Sequence, residues 1–275
     1  MMIQCELNKK AEHYLVEYKN IKEQSSTFEP KGIFHSELLM AFTVAKELGV
    51  EKIIESGRAR GQSTELIARF CKEHNVEFHS IEYDKNSPDV GVAEQRLAPF
   101  KDICTLHYGD GFEVMPKLID EKHTLIVIDG PKGVWAQKLG LLMLKNTNVK
   151  AVMFHDTHRD AEDARPRLER YLGKHLIVSD DYEFVEKYKY LDDDCWEITN
   201  KYIDGYAPYK RPNKIMRSYA GTLSCVINKD IDSKVIDSYL KDVQHSIDVK
   251  STFLYKVALK LRLVSLINRA YKNIL

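Results

Sequence analysis

The chain has 275 residues, 44% hydrophobic and 30% charged, and its 41 Lys+Arg balance 41 Asp+Glu to a net charge of zero. That composition excludes disordered, collagen-like and low-complexity classes, and the neutral balance speaks against a protein that coats nucleic acid. Cys5, Cys71, Cys104, Cys195 and Cys225 make no zinc spacing, no run nears the roughly 20 apolar residues of a membrane span, and the first ten residues carry no secretion-signal core, so the expectation is a cytoplasmic protein with free thiols.

Residues 6–24 are charged, with Leu7, Ala11, Tyr14, Leu15, Tyr18 and Ile21 at helical spacing. A loop over 25–31 precedes an amphipathic helix over 33–48, whose apolar stripe is Leu38, Leu39, Phe42, Ala45 and Leu48. From Val50 onward short apolar runs alternate with helical stretches. The runs are 52–54, 76–81, 103–108, 124–128 and 151–154; the helices are 61–74, a short one within 87–100, 111–119, 135–145 and 161–172. Strands this short and apolar on both faces belong in a parallel sheet covered by helices. The alternation predicts an α/β fold, a Rossmann-like doubly wound, mostly parallel sheet with helices on both faces. After Tyr182 the alternation stops. Residues 195–200 and 221–227 are β-rich and read as an antiparallel C-terminal strand pair, flanking a Tyr/Pro/Lys/Arg-rich loop over 202–219. The chain reads as helical from 231 to its end. The organisation that follows is an N-terminal helical lead over 1–32, a Rossmann-like domain over 33–230 and a C-terminal helical tail over 231–275.

The strongest motif joins the first run to the first helix of the alternating region: Glu55-Ser56-Gly57-Arg58-Ala59-Arg60-Gly61-Gln62-Ser63. Glycines in such a turn let backbone approach a ligand, and the helix that follows offers free N–H groups. The spacing is neither the dinucleotide fingerprint nor a P-loop. An acidic Glu55 repels a diphosphate and favours a cationic, ribose-bearing ligand; turn packing is the alternative use of the glycines. Glu82 ends the second run, 27 positions after Glu55, where a carboxylate can accept from both ribose hydroxyls. Asp110, in Gly109-Asp110-Gly111 after the third run, can take an adenine amino group or cap the next helix. Asp129-Gly130-Pro131-Lys132 and His155-Asp156-Thr157-His158 follow the fourth and fifth runs. Carboxylates at adjacent strand ends can share a divalent cation, and Lys132 or His158 can serve as a base. Asp129 as a helix cap, Lys132 as a surface charge and both histidines as ordinary loop residues stand as alternatives.

Together these residues resemble class I S-adenosylmethionine-dependent methyltransferases, in the branch of catechol O-methyltransferase and the cephalosporin- and macrolide-biosynthesis O-methyltransferases. The resemblance covers about residues 33–173. It implies S-adenosylmethionine as cofactor, with its methionine part at Glu55, Gly57, Gly61 and Ser63, its ribose at Glu82, its adenine at Asp110, and Asp129 also at the cofactor. It further implies Mg on Asp129 and Asp156, although His155 and Thr157 flank Asp156 where that branch places Asn or Glu. Lys132 has the spacing of the catechol enzyme's proposed base. The expected acceptor is a hydroxyl of a small molecule or glycan. A related sulfonium-dependent transfer of the aminopropyl kind, or a non-catalytic cofactor- or RNA-associated scaffold, are the competing readings. Residues 249–275 hold six Lys/Arg and no Asp or Glu among apolar residues at helical spacing, which suits a membrane-surface or subunit contact, including a homo-oligomer.

Overall fold

β1 (Lys52–Ser56) and β4 (Thr124–Ile128) are buried along their whole length. They lie side by side and parallel, with helices over both faces. In this computed structural model, which describes residues 3–30, 32–157, 164–202 and 222–251, they form the centre of a seven-stranded sheet. On one side of β1 follow β2 (Glu77–Glu82) and β3 (Cys104–Tyr108). On the other side of β4 follow β5 (Val149–Phe154), then β7 (Ser224–Ile227), then β6 (Leu176–Val178). The order is β3-β2-β1-β4-β5-β7-β6. All pairings are parallel except those of β7, which runs antiparallel to both β5 and β6. The strand order reverses between β1 and β4. That switch point opens a crevice at the carboxyl ends of the strands.

Side chains alternate across the sheet with period two. Ile53, Leu125, Val127, Ala151 and Met153 point into one core. Ile54, Ile126, Ile128, Val152 and Phe154 point into the other. The first core is closed by α1 (Gln4–Gln24), α2 (His35–Glu47) and α3 (Gln62–His74), with Phe184 and Tyr188 of α8 (Tyr182–Tyr188). α4 (Asp89–Leu97) packs on α3. The second core is closed by α6 (Val134–Met143), α7 (Ala164–Leu172) and α10 (Ser233–Ser251), tied by Tyr239 Oη donating to Gln137 Oε1 at 2.7 Å.

α2 is buried on all sides from His35 to Ala45, not along a single stripe. The reason is α1, which lies over its outer face: Tyr18 rests 5.6 Å from Phe42, and Tyr14 Oη donates to Glu47. The helix expected over 111–119 is only α5 (Gly111–Val114), followed by a 3-10 turn over Met115–Leu118, because Pro116 cannot continue the α-helical ladder. The expected strand at 195–200 is not one. It lies in α9 (Asp193–Tyr202), where Cys195 and Thr199, one turn apart, are buried while Asp193, Asp194 and Glu197 are exposed. Its β-branched and aromatic residues mimic a strand, but its burial has the helical period. The antiparallel partner of β7 is the three-residue β6 instead. The C-terminal helix is described to Ser251; the rest of the tail, most of the 202–219 loop and His158 lie outside the described residues. Among the described residues no helix is long and apolar enough to cross a membrane.

Gly140 on α6 shows how tightly the second core is closed. A Cβ there would sit 2.4 Å from the ring of Phe154, itself 1% exposed. Gly140→Ala is expected to lower unfolding free energy by about 1–3 kcal/mol in urea titration, through overpacking; an unchanged midpoint would show that this contact is slack.

Candidate functional site

The carboxyl ends of β1 and β4 are laced together. Ser56 carbonyl oxygen accepts from Asp129 N–H at 2.8 Å and Gly130 N–H at 2.9 Å. Gly57 follows with φ +98°, and a Cβ there would lie 2.3 Å from the Gly130 nitrogen. Glycine is required at this point because another loop's backbone presses on it. Gly61, with φ +75°, begins α3 and packs against Ala93 of α4. The expected ligand-approach glycines thus divide: Gly57 meets the β4 loop and lines the crevice, whereas Gly61 serves helix packing.

The crevice is a cavity of about 400 Å³ bordered by Gly57, Ala59, Glu82, Asp129, Lys132 and His155, within the size range of small-molecule sites. A narrow recess beneath it is lined by Arg58, Gln62 and Ser63. A larger cavity of about 640 Å³ lies at the opposite end of the strands, among Lys9, Lys10, Lys150 and Asn228, away from every motif above.

Glu82 stands at the crevice with both oxygens in use: Oε2 accepts from Ala59 N–H at 2.8 Å and Oε1 from Tyr83 N–H at 2.9 Å. Each carboxylate oxygen keeps a further lone pair. Glu55 behaves differently from the expectation of direct ligand contact. It is fully buried beneath the turn, where Thr64 Oγ1 and Ser80 Oγ donate to Oε2 at 2.6 and 2.7 Å. Burial pushes its carboxyl up to about 7 despite these hydrogen bonds. Glu55 therefore holds the turn from below. Ser63 sits in the first turn of α3, its Oγ 3.5 Å from Glu55 Oε1. Asp110 is exposed and caps α5 by accepting from Phe112 N–H, the second of the two uses expected for it.

Asp129, Lys132 and Asp156 do come together. Lys132 Nζ donates to Asp129 Oδ1, and to Asp156 Oδ2 at 2.6 Å. His155 Nδ1 donates to Asp129 Oδ1 at 2.5 Å, and its Nε2 lies 3.5 Å from Glu37 Oε1. Burial alone would raise the Asp129 carboxyl and lower the His155 imidazole; their mutual attraction, aided by Lys132 and Glu37, reverses both. Asp129 is held down at about 2 and His155 well above its ordinary value. Burial likewise pushes Lys132 down, but the two carboxylates outweigh it and raise it. Lys132 is consequently a clamped cation, and the desolvation that would have made it a base is overridden. The other expected base, His158, is outside the described residues.

The Mg expected on Asp129 and Asp156 does not fit this arrangement, because the Lys132 ammonium fills the point where the carboxylates converge. S-adenosylmethionine fits better. Both polar atoms of the Gln62 amide are buried without a partner at the recess. Glu82, Asp129 and Asp156 give the wall the acidity that a sulfonium favours.

Three residues of the site were not singled out in the sequence. Glu37 resembles a helix cap, since its Oε2 accepts from Phe34 N–H at 2.9 Å. Arg58, 2% exposed, donates to Ser80 carbonyl at 2.8 Å and lies over the Tyr108 ring. Thr199 reaches the cavity only because its segment is helical. An acid three residues after a helix start and an arginine between turn glycines were the available signals.

No protein-family model matches the chain, and no curated protein sequence matches it. Solved structures to which it is similar include methyltransferases. The O-methyltransferase TomG from Streptomyces achromogenes, involved in tomaymycin synthesis and solved with the cofactor, is 13% identical over 82% of this chain and 99% of that one, with a TM-score of 0.43. An O-methyltransferase from Bacillus cereus, in complex with SAH, is 12% identical over 80% and 90%, TM-score 0.38. The SAH-bound methyltransferase PaMTH1 from Podospora anserina is 13% identical over 82% and 88%, TM-score 0.37.

Glu55 supplies a test by pH. Its folded value, about 7, exceeds the ordinary 4.5, so the folded state holds the proton more tightly. This contribution is complete below pH 4.5 and is lost as pH rises through about 7, to a total of about 3 kcal/mol. Glu55→Gln should remove that slope: its stability relative to the parent rises between pH 5 and pH 8 in urea titrations. Parallel pH profiles would refute the buried, protonated Glu55.

Proposed function

We propose that this chain is an S-adenosylmethionine-dependent methyltransferase that acts on a hydroxyl of a small molecule or glycan. One observation carries the reading: the Gly57 turn, the Glu82 carboxylate and the acidic loop after β4 border a single cavity at the switch point of the sheet. When bound, the cofactor supplies a methyl group on a positively charged sulfur, ready for in-line displacement. Glu82 accepts from the ribose hydroxyls while it keeps the turn closed through Ala59 N–H. Gln62 and Ser63, beside the cavity, are the candidates to meet the cofactor's amino-acid end. The acceptor hydroxyl docks beside Lys132 and Asp156 at the mouth, where an ammonium stabilises negative charge developing on oxygen. With the cofactor in place as methyl donor, the Asp156 carboxylate at the cavity mouth would take the proton of the acceptor hydroxyl and pass it to water. Holding both reactants in line is the main contribution asked of the protein.

Glu82→Ala should weaken S-adenosylmethionine binding by about 1–3 kcal/mol in titration calorimetry, through lost charge-assisted hydrogen bonds and a loosened turn. Parent-like affinity in this variant would remove Glu82 from the cofactor site.

A further inference from the structure

Five ionisable side chains run from the interior to the cavity mouth with alternating sign: Glu37, His155, Asp129, Lys132, Asp156. They come from three separate segments, α2 and the loops after β4 and β5. Ligating atoms of Asp129, His155 and Asp156 all lie within 4.8 Å of one another, a spacing that suits a metal ion. Yet the meeting point of the two carboxylates is already taken. Lys132 Nζ sits there, hydrogen-bonded to both.

The loops are shaped for this. Gly133, at φ +61° and two residues after Pro131, caps the start of α6 and brings the chain about, so that Lys132 faces back to Asp129. Asp156 has φ +57°, a left-handed conformation uncommon outside glycine, and from it meets Lys132. An ammonium and a divalent ion cannot share two carboxylates at hydrogen-bond distance, because their repulsion equals in kind the attraction each seeks. His155 adds a second obstacle, since its Nδ1 occupies the same Asp129 oxygen as Lys132.

We propose that Lys132 is a built-in cation: its ammonium holds, between Asp129 and Asp156, the position a divalent ion would otherwise take, and the site works without a bound metal. The catalytic meaning of this rests on the methyltransferase reading; the occupancy itself does not. An ammonium has three donors. Two are spent on the carboxylates, and among the described residues the third has no partner, which leaves it for the acceptor oxygen. Lys132 would then orient and stabilise the oxygen as a Lewis-acidic metal does, and would not remove its proton.

The test is a titration with Mn²⁺ alone, followed by the paramagnetic resonance signal of free Mn²⁺, on the parent, Lys132→Ala, and Lys132→Ala combined with Asp156→Asn. Lys132→Met serves as a second variant, and melting curves confirm that each is folded. The expected result is no saturable site in the parent, one site in Lys132→Ala that is at least about tenfold tighter than any parent binding, and its loss in the double variant. One Mn²⁺ bound by the parent and removed by Asp156→Asn would overturn the proposal. So would folded Lys132 variants that gain no site. Because no cofactor is present, these outcomes stand whether or not the chain binds S-adenosylmethionine; failure of the methyltransferase reading would show separately, as absent cofactor binding in calorimetry.

Discussion

The site depends on the seam between the ends of β1 and β4. The Ser56 carbonyl receives both Asp129 and Gly130 N–H groups, and Gly57 lies flat against Gly130. This contact fixes two loops that the strand order would otherwise send to opposite faces. With the seam closed, the turn from Gly57 to Gly61 has one path, and Glu82 can reach across to Ala59. Glu55 completes it from below, its buried carboxyl joining the turn, α3 and β2 through Thr64 and Ser80. The crevice is thus a product of sheet topology.

Charge is the second organising element. A neutral protein has gathered three carboxylates and two cations into an ordered line. Each member is stabilised by neighbours of opposite sign, which is how Asp129 and Glu37 tolerate burial. The line ends at the cavity with one more negative charge than positive, and Glu82 adds another. A sulfonium ligand is matched by that excess, whereas a nucleoside diphosphate would be repelled.

Much of the fold was legible because short apolar runs, Thr124–Ile128 above all, alternate with helical stretches, a pattern that a covered parallel sheet accommodates. The failures have physical causes. Residues 195–200 carry strand-forming side chains whose helical burial depends on what packs around them, and β6 is too short to announce itself. α2 was read as half-exposed because nothing in its own sequence reports that α1 covers it. At the site, strand-end positions identified Glu82, Asp129 and Asp156, since topology alone places such residues at the crevice. What no spacing conveys is pairing between separate strands. Lys132 looks like a base until Asp156, 24 residues away, is seen to share its proton donors. Glu37 is hidden behind a capping role that it also performs.

The most direct measurement is a crystal structure with S-adenosylhomocysteine. The account places the ribose hydroxyls on the Glu82 carboxylate, the homocysteine end beside Gln62 and Ser63, and the sulfur facing Lys132 and Asp156. Nucleoside density at the lysine-lined cavity at the opposite end of the strands, or a crevice that stays closed to the ligand, would contradict it.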